Sequence, residues 1–259
     1  KIDLTIVSHL NRKPIDKLIK HGAKEAINLQ ELTKNSNVIL MCVTNTPVAH
    51  KIIDEISEYL NRNSIIIDLT THNLTGSIDI EKKLRKLKVN YIESPVMGGP
   101  KQSEKGILGA IVGCNKKDFK LSKKILSIFC KKVFYFGEVG VAAKAKLINN
   151  FLALGTTTLV IESIKSANKF NIDLRNFFEV AKLGSGKSGA LDRISDKVLK
   201  NDYKGYMFTV NNALKDFKYI YELLKNSDAR EIAKINKLFY QNAKNKGFGD
   251  LFLSELIKK

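Results

Sequence analysis

The stretch GVAAKAKLINNFLALGTTTLVIESI, Gly140 to Ile164, divides the chain in two. Before it, apolar strands alternate with polar loops and helices; after it, only helical periodicity is found. Lys146 and Asn150 stand four apart within the stretch, so on a helix both side chains leave the same face. That helix is apolar on nearly every other side and therefore belongs in an interior. An ammonium and an amide one turn apart near its start are costly unless they meet a ligand or each other. Taken alone, a lysine snorkelling to water from a helix end accounts for the pair as well.

Upstream, Leu4 to Val7 reads as a strand, followed by the loop SHLNRK and a helix opened by Pro14 and closed near Gly22. VILMCV, Val38 to Val43, is continuously apolar, as a strand buried in a parallel sheet would be. It ends at TNTP, where Pro47 suits the first turn of a helix. The unit then repeats: strand SIIIDL, loop TTHN, helix to about Leu87, strand VNYIES, with later strands at Ala110–Val112 and Val133–Phe136. This alternation predicts a Rossmann-like doubly wound α/β domain over residues 1–139. Helices at roughly 141–170, 173–183, 188–200, 206–226 and 229–245 predict an all-α domain over 140–259.

Ligands of doubly wound domains sit outside the carboxyl ends of the strands. Attention therefore falls on the loops after Val7, Val43, Leu69 and Ser94. In the last of these, Gly98 and Gly99 let backbone N–H groups approach a ligand, or make a plain tight turn. His72, in the loop TTHN, is placed to contact cofactor or substrate but reads rather as a surface residue. One part is missing: a dinucleotide domain of this type opens with a strand leading into a G-x-G-x-x-G turn, and no such motif is expected anywhere in the chain. Leu4 to Val7 with SHLNR looks like the second strand of such a domain. The first strand and its Gly-rich loop are thus expected to be absent, the chain starting about 25 to 30 residues late.

Bulk properties narrow the partners. The formal net charge is +18, but only six of the 44 basic residues are Arg and the Lys residues are scattered. Arg is the residue expected where bases or phosphates are gripped in fork geometry, so no specific nucleic-acid partner is expected. No apolar run reads as long and uninterrupted enough to span a bilayer, and KIDLTIV is not a signal peptide, so no membrane association is expected. Cys42, Cys114 and Cys130 are distant and odd in number, which suggests neither disulfides nor a metal site; reduced thiols in the cytoplasm are expected.

Five segments in order resemble the β-hydroxyacid dehydrogenase family, the group of 3-hydroxyisobutyrate dehydrogenase and tartronate semialdehyde (glyoxylate) reductase. ESPVMGGPKQSEKGILGAIVG is similar to the family's D-A-P-V-S-G-G segment with its following G-T-L. GEVGVAAKAKLINN is similar to G-x-x-G-x-x-x-x-x-K-L-x-N-N. KLGSGKSGAL resembles G-S-G-R-S-W, ALKDF resembles K-D-L, and NKGFGDLFLSELI resembles the usual C-terminal segment.

The resemblance implies that Lys146 is the general acid/base and that Asn150, with Met97, Gly98 and Gly99, binds the substrate. It also implies that Thr71 and Val43, at strand ends, and Lys215, from the helical domain, lie against the cofactor. A small carboxylated substrate and a homo-oligomer are implied as partners. Alkoxide formed by hydride transfer needs a proton, and a protonated lysine can supply it. Oxidation in the reverse sense would need the lysine's pKa lowered by burial or by Lys144 and Lys215.

For cofactor choice, the loop VSHLNRKP has no acid to bind a ribose 2′-hydroxyl, whereas Asn11 and Arg12 suit a 2′-phosphate. NADP is therefore favoured over NAD. Met97 stands where the family has Ser, and Gly189 where it has Trp; both departures favour a less usual substrate. The competing expectation is a non-catalytic relative that keeps the fold as a binding or oligomerisation module.

Overall fold

The computed structural model describes residues 3–8 and 11–259. Backbone packing divides the chain into two compact units, Lys1–Ala143 and Lys144–Lys259.

In the first unit, β1 (Thr5–Val7) is followed by α1 (Lys13–Lys20), β2 (Lys24–Ala26) and α2 (Leu29–Lys34). The last two were not foreseen, because KEA is three residues long and mostly charged. β1 and β2 pair in parallel as a two-stranded sheet, with Ile6 opposite Glu25. A six-stranded sheet follows, built from β3 (Val38–Met41), β4 (Ile65–Asp68), β5 (Asn90–Glu93), β6 (Val96–Met97), β7 (Leu108–Gly113) and β8 (Cys130–Gly137). Its helices are α3 (Thr46–Ile56), α4 (Gly76–Lys86), α5 (Pro100–Glu104) and α6 (Lys116–Leu126).

The sheet is mixed: β3, β4 and β5 run parallel, but β7 is antiparallel to β5 and β6 and parallel to β8. One expectation needs correcting: β3 is not buried on both faces, since Val38 is 40% and Leu40 46% exposed while Ile39 and Met41 are buried. It lies at the end of the sheet's strand order, where one face lacks cover. Central β4 is the strand with the fully buried run, Ile65 to Asp68. Asn45 starts α3 as sequence chemistry requires: its side chain accepts the Val48 N–H and Pro47 occupies the first turn.

The second unit is formed by α7 (Val141–Lys169), α8 (Leu174–Leu183), α9 (Gly189–Val198), α10 (Val210–Leu223) and α11 (Ala229–Ala243), with a short 3-10 turn at Leu253–Lys258. Asp173, Ser188 and Thr209 cap α8, α9 and α10 with their side-chain oxygens. Contrary to the sequence expectation, α7 is long and apolar enough to cross a membrane by length and composition. Its Leu147, Leu154, Ile161 and Ile164 nevertheless pack with Phe178, Ile194, Phe217 and Tyr240 into one core. One face of α7 is thereby buried in protein, while Ile148, Leu152 and Leu159 on another stay exposed. Tyr240 stacks on Phe217 and its hydroxyl meets Thr158 Oγ1 at 2.8 Å, so the phenol is not left unsatisfied.

Candidate active site

At the start of α7 the backbone must turn sharply, and Gly140 has φ +92°. A Cβ there would lie 2.8 Å from Ile78 Cδ1, so both conformation and space demand glycine. The Gly140 N–H donates to Glu93 Oε2 at 2.8 Å, and the Ala143 N–H bonds the same buried carboxyl group. Burial raises the Glu93 pKa, while hydrogen bonds from the two amides draw it back. A carboxyl at a helix N-terminus also meets the favourable end of the helix dipole.

One turn further on, Lys146 is half-buried and Asn150 buried. The Asn150 amide donates to Asp216 Oδ2 at 2.7 Å, and Lys215 Nζ pairs with Asp216 Oδ1 at 3.0 Å. Asp216, on α10, is almost wholly buried. Burial lowers the Lys146 pKa; Asp216 opposes that shift and Lys215 adds to it. Lys144 is exposed and does not join these residues in setting the shift. The Asn150 amide and the Lys215 ammonium are thus organised by one carboxylate, whose charge also acts on Lys146. An amine in such surroundings can release or take up a proton nearer neutrality than an exposed lysine.

In the first unit the strand-end loops are tied by buried polar groups. Asp68, closing β4, accepts the Thr70 N–H at 2.9 Å, the Tyr91 hydroxyl at 3.0 Å and His72 Nε2 at 2.7 Å. His72 is therefore fully buried, not on the surface; a strand-end carboxylate four residues earlier satisfies it. Its Nδ1 lies 3.2 Å from Thr46 Oγ1, which also accepts the Asn73 N–H at 3.1 Å. With Nε2 protonated toward Asp68, the Thr46 hydroxyl donates to Nδ1 and every partner is satisfied. Thr70 Oγ1 accepts the Val43 N–H at 3.2 Å, joining the loops after β3 and β4. Thr71, next in sequence, is half-buried.

Met97 is half-buried on β6, opposite Gly109, over which its side chain packs. Gly98 has φ +123°, and a Cβ would lie 2.7 Å from Leu108 Cδ2. The Gly99 N–H donates to Gln102 Oε1 at 3.0 Å, so a carboxylate would first have to displace that side chain. After β1, Asn11 Oδ1 accepts the Lys13 N–H at 3.2 Å.

Arg12 is not the lone cation its loop suggests. Its guanidinium grips Glu25 through two bonds of 2.6 and 3.1 Å and Asp16 through one of 2.9 Å. The loop has no acid, but the neighbouring strand supplies one. Hydrogen bonding from Arg12 holds the Glu25 carboxyl below its ordinary range. This donor set fits the ribose end of a dinucleotide, since Arg12 can take a 2′-phosphate and Glu25 a 2′-hydroxyl.

Residues 3–137 match the family model for the NAD-binding domain of 6-phosphogluconate dehydrogenase. Residues 140–259 match that for the NAD-binding domain of NADP-dependent 3-hydroxyisobutyrate dehydrogenase. The chain belongs to the β-hydroxyacid dehydrogenase family. It is thereby an NAD(P)-dependent oxidoreductase of the hydroxyacid class. It is 26% identical to mitochondrial 3-hydroxyisobutyrate dehydrogenase of Drosophila melanogaster over 71% of this chain and 57% of that protein. Glyoxylate/succinic semialdehyde reductase 1 of Arabidopsis thaliana is 23% identical over 94% of this chain and 85% of its own length. The fold of 3-hydroxyisobutyrate dehydrogenase from Salmonella typhimurium superposes with a TM-score of 0.86 at 20% identity, covering 97% of this chain and 89% of that one.

Within the family frame, the residue that sequence reading missed is Asp216. It adjoins Lys215 in ALKDF, and a buried acid beside a lysine was the available signal. The expectation that no G-x-G-x-x-G occurs anywhere needs correcting: the sequence holds one literal string, Gly184 to Gly189. It joins α8 to α9, and Ser188 within it caps α9, so it lacks the preceding strand that a dinucleotide turn requires. Among the described residues no group of three His, Cys, Asp or Glu could hold a metal ion.

Proposed function

We propose that the protein interconverts a small 3-hydroxy or 2-hydroxy carboxylic acid and its semialdehyde or keto form, with Lys146 as general acid/base. The observation that carries this reading is the cluster of Lys146, Asn150, Lys215 and Asp216, with the Lys146 pKa lowered by burial. The nicotinamide supplies or accepts the hydride when bound. Lys146 gives its proton to the carbonyl oxygen in reduction and takes it back in oxidation. Asn150, held by Asp216, orients the substrate beside Lys146, and Lys215 lies toward the cofactor. Gly98 and Gly99 receive the substrate carboxylate. Met97, which has no hydroxyl to donate, suits an apolar substituent on it. Val43 and Thr71 line the nicotinamide end and Asn11 with Arg12 the ribose end. NADP is the proposed cofactor, because Arg12 offers a phosphate a planar fork.

The test is consumption of NADPH and NADH by the protein against a panel of small carboxylated aldehydes and ketones. No turnover with any member would leave the non-catalytic reading standing. The pH profile gives a sharper check. Reduction requires protonated Lys146, so its kcat/KM falls as pH rises through the lysine's pKa. Asp216 holds that pKa up, so Asp216→Asn will move the fall to lower pH and the rise of the oxidation rate with it. A profile unmoved by Asp216→Asn would take Lys146 out of the role.

Assembly is the second part of the proposal. Along α7, Leu152 and Leu159 are each 71% exposed and Ile148 is 56% exposed, and their spacing puts them on one helix face. Such a face is covered at low cost by the same face of a second copy. The protein is expected to elute as a homodimer or larger oligomer at micromolar concentration, and Leu152→Glu with Leu159→Glu to convert it to smaller species. A monomeric wild type by light scattering would refute this.

A further inference from the structure

Arg12 and Glu25 are thirteen residues apart in sequence, and the parallel pairing of β1 and β2 brings them together. The contact is bidentate, with Nη1 on Oε1 and Nη2 on Oε2, and Asp16 occupies Nη2 as well. Glu25 is the less exposed of the two main partners, at 28% against 52% for Arg12. The Nη1 and Nη2 donors that would grip a phosphate are thus already occupied by carboxylates.

We infer that Glu25 is a specificity-determining residue that competes with the 2′-phosphate of NADP(H) for Arg12 and so restrains the preference for the phosphorylated cofactor. The inference rests on the proposal that the protein binds a nicotinamide dinucleotide with its ribose at the end of β1. A 2′-phosphate brings a dianion toward Arg12. To be gripped, it must displace Glu25 from at least one nitrogen while that carboxylate remains nearby and repels it. A 2′-hydroxyl meets no such conflict, because Glu25 accepts its proton without leaving Arg12. Asp16 also competes, but it is as exposed as Arg12 and touches one nitrogen only, so its influence is the smaller.

Binding, independent of turnover, tests this. NADPH and NADH are titrated by nucleotide fluorescence into the wild-type protein, Glu25→Gln, Arg12→Ala and the double variant. Glutamine keeps the size of the side chain and removes its charge. The ratio of NADPH to NADH affinity is expected to rise about three- to tenfold in Glu25→Gln. It should fall in Arg12→Ala, and the gain from Glu25→Gln should vanish when Arg12 is absent. An unchanged or lowered ratio in Glu25→Gln would overturn the inference, as would a gain that survives without Arg12. Failure of either nucleotide to bind any of the four proteins would instead overturn the nicotinamide reading beneath it.

Discussion

Lys146→Ala will lower kcat for carbonyl reduction by about 10²- to 10⁴-fold, the range that a positioned proton donor contributes. The loss should appear in single-turnover experiments at saturating reduced cofactor, where binding no longer limits the rate. Lys146→Arg should fail to restore it. A guanidinium keeps the positive charge but stays protonated throughout the working range, so it cannot complete a proton transfer. The fold should survive both changes, because Asp216 keeps its pairing with Lys215 and its hydrogen bond from Asn150. Asp216 therefore keeps a cationic partner when Lys146 is removed. Activity in Lys146→Ala equal to wild type would show that the proton comes from elsewhere.

What could be read from the sequence depended on how locally each feature is encoded. The helices of the second unit announce themselves through caps and periodicity. Asp173, Ser188 and Thr209 stand where polar N-caps belong, and Phe178, Ile194 and Phe217 fall on buried faces. The Lys146–Asn150 pair was legible because four residues on a helix fix a shared face. Features that depend on strand pairing were not legible. β2 has three residues and no hydrophobic period, and nothing local says that Glu25 will lie beside Arg12. VILM reads as buried on both faces because composition cannot tell a central strand from a terminal one. His72 illustrates the same limit. Its polarity suggests solvent, yet the carboxylate four residues earlier and a threonine 26 residues earlier make a dry, satisfied site for it. Tertiary partners decided these cases, and each misreading sits in or beside a strand-end loop, where polar groups from several elements converge.

That convergence makes Asp68 the residue on which the first unit is most dependent. Its carboxylate accepts from a backbone amide, a phenol and an imidazole, all buried, and it closes β4 at the middle of the parallel strands. Asp68→Ala will remove the acceptor from the buried Tyr91 hydroxyl and from His72 Nε2. Each buried donor left without its acceptor costs about 1–3 kcal/mol. Tyr91→Phe removes one bond and one donor together, and should cost about 1 kcal/mol. The difference between the two variants separates the network from the packing of Tyr91 itself. Chemical denaturation read through hydrogen exchange of the β4 and β5 amides follows this unit without relying on a single transition for the whole chain. Because Thr70 also fixes Val43, the Asp68 variant should expose the loops after β3 and β4 to faster exchange than the strands they leave. An Asp68→Ala protein within about 1 kcal/mol of wild type would mean that water replaces the carboxylate at little cost, and that the network orders these loops without holding the unit together.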